Sequence, residues 1–138
     1  MDSLNSLIQI NKPRIYINGR VCHHNIEILY ALTELYNLQN YLEIGSHNGS
    51  SMSYVLQSNK NKNCIGVDPF ETLQTNDSKM IHYIKMDKIT EEKTLKNIMK
   101  NNKYNSKIKL IKKFSKDVLD NEINDIDLLF IDGDHNYE

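Results

Sequence analysis

The segment Y-L-E-I-G-S-H-N-G-S-S, residues 41–51, joins a short apolar run to a turn that contains two glycines. The run has the length of a buried strand, and helical spacing of apolar residues resumes from Ser50. Gly45 and Gly49 permit backbone conformations and close approaches that a Cβ atom prevents. The segment therefore predicts a strand, a turn and a helix, with the free N–H groups of the helix start beside the turn.

Three further apolar runs also have the length of buried strands. They are Cys64–Val67, Ile108–Ile111 and Ile126–Ile131. Strands that alternate with helical patterns at this spacing are typical of βαβ units, whose strands run parallel. The pattern predicts an α/β fold: a Rossmann-like three-layer sandwich with a mostly parallel sheet, of which four strands are visible.

Apolar residues at helical spacing predict the elements between the strands. A helix from Asn25 to about Leu38 is expected to bury one face, formed by Ile28, Leu29, Leu32, Leu35 and Tyr36. Residues 69–89 give only a hint of a helical turn around Met80, Tyr83 and Ile84.

The next helix has a recognisable start. Thr90 is the expected N-cap, and acidic residues follow in the first turn, where the helix dipole favours them. Its inward face is expected to consist of Leu95, Ile98 and Met99. A short helix should begin at Ser115.

The length of 138 residues fits one ordinary domain. Residues 1–24 are predicted to form a tether and a short hairpin, because Asn18-Gly19 between apolar residues is a typical hairpin turn. Residues 25–138 would form the Rossmann-like unit.

The composition argues against several classes of protein. A formal net charge of −1 gives no general attraction to nucleic acid or to an anionic membrane. The longest apolar run, Ile126–Ile131, is far below the ~20 residues of a membrane helix. Two cysteines, Cys22 and Cys64, are too few for a disulfide framework. We therefore expect a cytoplasmic protein.

The spacing of the glycines limits the ligand of the turn. A dinucleotide site needs G-x-G-x-x-G, but His47 stands where the second glycine would be. A phosphate-binding Walker loop needs a lysine before its Ser or Thr, and Ser50-Ser51 does not follow one. The glycine spacing thus argues against an NAD-dependent oxidoreductase.

An acidic residue follows the second predicted strand. Asp68 lies 19 residues after Gly49, close to the step of about 20 residues at which a Rossmann acid meets a ribose. A carboxylate there can accept hydrogen bonds from two vicinal hydroxyls. The alternative is that Asp68 only opens a turn with Pro69.

With these residues the sequence resembles a known family. E-I-G-S-H-N-G-S-S, G-V-D-P-F and F-I-D-G-D-H-N-Y are similar to ordered motifs of class I S-adenosylmethionine-dependent methyltransferases. The likeness is greatest to the small-molecule O-methyltransferase branch that includes catechol O-methyltransferase, and it extends from about Gly19 to the last residue. It implies a methyltransferase acting on a small-molecule hydroxyl or similar acceptor.

The resemblance implies roles for individual residues. The residues that would line S-adenosylmethionine are Glu43, Gly45, Ser46, His47, Gly49, Ser51, Asp68, Phe70, Ser115 and Asp132. Of these, Ser51 would lie near the methionine carboxylate, Asp68 at the ribose, and Phe70 and Ser115 at the adenine. Phe114 departs from the family pattern just before Ser115.

The end of the fourth strand would carry the remaining chemistry. Asp132 is expected to contact the methionine amino group and a divalent metal such as Mg²⁺, and His135 to act as general base. The alternatives are that Asp134 caps the turn after the strand and that His135 is structural or positions the substrate.

A complete enzyme of this family has seven strands, whereas four are visible here, so the resemblance implies a fold truncated after the fourth strand. We expect either a fragment of a longer enzyme, a non-catalytic binding or assembly module derived from one, or a chain whose fourth-strand edge is completed by a partner or a second copy. Leu128–Ile131 would form that edge.

Overall fold

Strands and helices alternate in the part of the chain that the structure describes. A computed structural model describes residues 26–58, 60, 62–70 and 89–133. Its elements in chain order are α1 (Ile26–Tyr36), β1 (Asn40–Ile44), α2 (Ser50–Val55), β2 (Asn63–Val67), α3 (Glu91–Lys100), β3 (Lys107–Ile111) and β4 (Leu128–Ile131). Two single turns of 3-10 helix, Ser115–Asp117 and Asp120–Glu122, lie between β3 and β4.

The four strands form one parallel sheet in the order β3-β2-β1-β4. The chain adds strands in one direction from β1 to β3 and then returns to the other side of β1. Right-handed crossovers place connections made in opposite directions on opposite faces of a sheet. The predicted Rossmann-like α/β fold with a parallel sheet is confirmed.

The two faces of the sheet have different covers. On the helix face, which bears Tyr41, Cys64 and Ile108, the strands pack against residues of α1, α2 and α3. The opposite face, which we call the connection face, bears Leu42 and Val67. It packs against residues of the β3–β4 connection, namely Val118, Ile123 and Ile126. Because the strand order reverses after β3, the described helices and the β3–β4 connection lie on opposite faces of the sheet.

The buried side of α1 differs from the predicted one. Leu29 is buried as expected, but Ile28, Leu35 and Tyr36 are exposed. The buried residues of α1 are Ile26, Leu29, Tyr30, Ala31 and Thr33. Thr33 can lie inside because its hydroxyl donates a 2.6 Å hydrogen bond to the carbonyl of Leu29.

The inward face of α3 is also shifted from the prediction. Ile98 is fully buried, whereas Leu95 and Met99 are exposed. Thr94 is buried in their place, together with Asn101 just beyond the helix. The predicted N-cap is confirmed, since Thr90 Oγ1 accepts a hydrogen bond from the N–H of Lys93 at 3.2 Å.

The segment around β4 is shorter and less helical than predicted. The helix expected from Ser115 is a single 3-10 turn. β4 begins two residues later than Ile126 because Asp127 has another role. Its Oδ2 accepts the N–H groups of Gln39 and Asn40, both at 2.9 Å, and so fixes the start of β1.

Several predictions lie outside the described residues. They concern the hairpin in residues 1–24, the helical turn around Met80, and the roles of Asp134 and His135. Among the helices that the structure describes, none is long and apolar enough to cross a membrane.

Candidate functional site

The carboxyl ends of the strands lie level with one another. Ile44 of β1 is paired with Val67 of β2 and with Ile131 of β4, and Val67 is paired with Ile111 of β3. The residues that follow therefore emerge together. Gly45 donates from its N–H to the carbonyl of Val67 at 2.8 Å, and Asp132 donates likewise to Ile44 at 2.8 Å. Ligands of open parallel sheets bind at this edge, where the strand order reverses.

The turn after β1 has a backbone that favours glycine. Gly45 has φ +90°, and an added Cβ there would lie 2.5 Å from the carbonyl oxygen of Asp132. Gly49 has φ +82°, and a Cβ there would lie 2.6 Å from a side-chain carbon of Ile98. The two glycines are thus needed for close contact with β4 and with α3. His47 adopts φ +44° between them, a conformation that non-glycine residues rarely take.

Asp68 is bonded directly to this turn. Its Oδ2 accepts the N–H of His47 at 2.9 Å, and its Oδ1 accepts the N–H of Phe70 at 2.7 Å. The second bond is the turn-opening role considered as an alternative for Asp68. An ionised carboxylate offers about four lone-pair positions, so about two remain for a ligand. The turn-opening role and a ligand role are therefore compatible.

Glu43 is a carboxylate buried beneath the turn. Its side chain is fully buried, and Oε2 accepts a 2.8 Å hydrogen bond from the Tyr41 hydroxyl. Among the described residues, Oε1 has no hydrogen-bond partner. Burial raises the pKa of Glu43 to about 8, hydrogen bonding from Tyr41 opposes the rise, and the charges of Asp68 and Asp132 add to it. The charges of two further carboxylates thus act on Glu43 at this edge.

Ser46 lies on the inner side of the turn. Its side chain is buried, and an added Cβ at Gly66 would lie 2.3 Å from its hydroxyl oxygen. The hydroxyl therefore lies against β2 on the helix face. It is near enough to Glu43 to oppose the rise in that pKa, although no bond of ordinary geometry satisfies it within the described part of the chain.

The other predicted cofactor residues are placed less closely together. Ser51 is buried in α2, and Phe70 is buried after β2 with φ +49°. Ser115 and Asp132 are exposed, at the exits of β3 and β4. The structure therefore brings the predicted residues from β1, β2 and β4 to one edge, while Ser115 follows the outer strand β3.

Two residues that the sequence analysis missed hold the turn from α3. Thr94 Oγ1 donates a short hydrogen bond to the carbonyl of His47, and Asn97 Nδ2 donates to the carbonyl of Asn48 at 3.1 Å. They escaped notice because the search for an inward helical face used apolar residues only. Polar residues at positions i and i+3, beside the buried Ile98, were the available signal.

No group of three or more His, Cys, Asp or Glu residues suited to a metal ion is found within residues 26–58, 60, 62–70 and 89–133. Asp132 alone does not make such a site, because hard cations take six to eight oxygen ligands or keep several waters. The metal at Asp132 stays a prediction.

An open groove of about 410 Å³ lies at the other end of the sheet. Its lining includes the first residues of three strands, Asn40, Asn63 and Lys107. The groove is thus at the amino edge, away from the glycine turn and the three carboxylates. We assign the candidate site to the carboxyl edge on the direct bond between His47 and Asp68 rather than on cavity size.

The fold and the site together define a Rossmann-like domain with a ligand edge formed by a glycine turn and acids. Residues 42–138 match the family model described as "Methyltransferase domain". This match covers more than half of the chain, so the chain belongs to the methyltransferase-domain family.

A viral protein is similar to this chain over a longer part of the sequence. The chain is 34% identical over 149 aligned positions to "Uncharacterized protein R132" of Acanthamoeba polyphaga mimivirus. The alignment includes all of this chain and 60% of the viral protein.

Proposed function

We propose that this chain binds S-adenosylmethionine and is the cofactor-binding part of a methyltransferase that modifies a small-molecule hydroxyl, as in the catechol O-methyltransferase-like branch. The observation that carries the proposal is the 2.9 Å hydrogen bond from the N–H of His47 to Asp68. It puts the glycine turn and the acid after β2 side by side, where one adenosyl ligand can reach both.

The charge of the site supports a cationic ligand. Glu43, Asp68 and Asp132 are close enough for the last two to raise the pKa of the first. S-adenosylmethionine carries a sulfonium and an ammonium group, and acids nearby stabilise both. A pyrophosphate would instead meet carboxylates. This favours the adenosyl sulfonium over NAD at the same turn.

The roles proposed for individual residues are those that the resemblance to class I methyltransferases implies. The backbone of residues 45–49 would hold the methionine end, and Asp68 would accept hydrogen bonds from the ribose hydroxyls. Phe70 and Ser115 would flank the adenine. Asp132 would face the ammonium group, and Ser51 the carboxylate. Glu43 would lie beneath the positive end, whose charge would favour the ionised form of its carboxyl group.

The bound cofactor supplies a methyl group already activated by its sulfonium. The protein's task is then to hold an acceptor oxygen in line with that methyl group and to remove the hydroxyl proton. We propose His135 for the proton, because an imidazole with a pKa near ~6.5 accepts one at neutral pH. A divalent metal at Asp132 belongs to the same proposal and requires ligands besides Asp132.

The test is calorimetric titration of S-adenosylhomocysteine into the full chain and into Asp68→Ala. We expect the variant to bind about 1–3 kcal/mol more weakly, because ribose hydroxyls lose their acceptor. Asp127→Ala is the matched control. Asp127 likewise accepts backbone N–H groups, from Gln39 and Asn40, but at the amino edge of the sheet.

Equal affinity in wild type, Asp127→Ala and Asp68→Ala would remove Asp68 from the site. Absence of any binding by the wild-type chain would overturn the proposed cofactor, and binding of NAD instead would favour the oxidoreductase alternative.

A further inference from the structure

The glycine turn is held from two sides at a single residue. The N–H of His47 donates to Asp68, and the carbonyl of His47 accepts from the Thr94 hydroxyl. His47 is also the non-glycine residue of the turn with positive φ, at +44°. A side chain in the left-handed region is disfavoured and persists where its surroundings impose it. The two bonds supply that constraint.

α3 makes further contacts with the next residues of the turn. Asn97 Nδ2 donates to the carbonyl of Asn48 at 3.1 Å. Ile98 packs so closely on Gly49 that a Cβ there would lie 2.6 Å from Cγ1. Three successive turn residues, 47 to 49, are thus contacted by Thr94, Asn97 and Ile98 in the same order.

The buried side of α3 is unusually polar for a helix packed on a core. Thr94, Ile98 and Asn101 are each no more than 1% exposed, while the apolar Leu95 and Met99 are 40% and 52% exposed. Apolar burial alone would have favoured a rotation that hides Leu95 and Met99. The orientation found is the one that allows Thr94 and Asn97 to reach the turn carbonyls.

We propose that Thr94 and Asn97 are positioning residues, which set the shape of the 45–49 turn for cofactor binding without contacting the cofactor. The inference rests on the proposed function, and it assigns to α3 the task of keeping the N–H of His47 aimed at Asp68. Loss of either donor should leave a turn carbonyl unpaired and let the turn relax away from Asp68.

The first experiment measures the Kd of S-adenosylhomocysteine for the full chain and for Thr94→Val, at a temperature well below the melting point of every variant. We expect the Kd to rise roughly tenfold in Thr94→Val, which corresponds to about 1.4 kcal/mol. Thr94→Ser, which keeps the hydroxyl, should restore most of the affinity. Thr33→Val is the matched control: Thr33 is also buried, and its hydroxyl donates to the carbonyl of Leu29 within α1.

A second pair tests the amide donor. Asn97→Asp places a carboxylate oxygen against the carbonyl of Asn48 and should also raise the Kd. Asn102→Asp is its control, because Asn102 Nδ2 donates to the carbonyl of Ser106 at 2.9 Å beyond the far end of α3. The control should lower the melting temperature and leave the Kd unchanged.

Hydrogen exchange of the ligand-free chain separates this inference from the proposed function. The amides of residues 45–49 should exchange faster in Thr94→Val than in Thr33→Val. If wild type binds and Thr94→Val binds equally well, the positioning role is wrong and the proposed cofactor stands. If wild type does not bind, the proposed cofactor fails. In that case, unchanged exchange in Thr94→Val would also overturn the claim that Thr94 constrains the 45–49 turn. Faster exchange would support that claim.

Discussion

Individual side chains at the carboxyl edge combine structural and ligand roles. Asp68 accepts two backbone N–H groups, from His47 and Phe70, and keeps lone pairs for a ligand. Glu43 receives one hydrogen bond from Tyr41 in a fully buried position. The Tyr41 pKa is itself well above its ordinary value, first because of burial and then because of the Glu43 charge. The pair therefore favours the state in which Tyr41 keeps its proton and donates.

Glu43 should make stability depend on pH. Its folded pKa of about 8 exceeds its ordinary value of 4.5, so the folded state binds more protons between these values. The stability that the proton on Glu43 contributes to the folded state is fully present below about pH 4.5 and is lost as pH rises through about 8. We expect the melting temperature of wild type to fall between pH 5 and 9 relative to that of Glu43→Gln. If the melting temperatures of wild type and Glu43→Gln change with pH by the same amount across this range, the burial of an ionisable Glu43 is contradicted.

At the scale of elements, the strand exits determine the site. Pairing of Ile44 with Val67 and Ile131 brings Gly45, Asp68 and Asp132 to one edge. Gly45 is tightly enclosed there, because a Cβ would lie 2.5 Å from the carbonyl oxygen of Asp132. The atoms nearest to that Cβ belong to the backbone, which cannot move aside as the end of a flexible side chain can. The turn and β4 thus fit together only when residue 45 has no side chain.

Gly45→Ala should destabilise the chain by about 2–4 kcal/mol, from the unfavourable positive φ and the overpacking together. Gly133→Ala is the control. The nearest atom to its Cβ would be a side-chain carbon of Ile44 at 3.6 Å, which is an ordinary van der Waals contact. We expect the control to change stability by less than about 1 kcal/mol. Urea unfolding measures both, and equal losses would refute the close approach at Gly45.

The sequence predicted strands better than helix faces for a physical reason. Parallel strands are buried on both faces of the sheet, so they appear in the sequence as apolar runs such as Cys64–Val67. The prediction for β2 was therefore correct to within one residue at each end. The inward face of α3 was predicted wrongly because Thr94 is buried for a hydrogen bond with the turn, not for its hydrophobicity. Such a bond depends on a residue 47 positions away, which periodicity does not register.

The candidate site was predictable to a similar extent. Gly45 and Asp68 could be named because they directly follow strands, and the linkage of the glycine turn to Asp68 is seen in the bond from the N–H of His47. The Tyr41–Glu43 pair was accessible too, since residues i and i+2 share a face of a strand. The inward position of the Ser46 hydroxyl depends on Gly66 of the neighbouring strand and could not be read from local sequence.

At the scale of the whole molecule, the sheet has unequal surroundings. Within the described residues, α1, α2 and α3 cover the helix face, and the segment between β3 and β4 covers the connection face. β4 is one of the two outer strands of the described sheet, and its Leu129 and Ile131 are 51% and 60% exposed. A partner or second copy at this edge stays a prediction. The chain spans 60% of the length of its viral relative.

The account as a whole depends on where the adenosyl ligand binds. Titration of S-adenosylhomocysteine into the ¹⁵N-labelled chain, followed by backbone amide shifts, tests this directly. We predict that the amides of residues 44–49, Asp68 and Phe70 shift together, with one saturation curve. Shifts confined to Asn40, Asn63 and Lys107 around the groove at the amino edge, or no saturable shift at all, would contradict it.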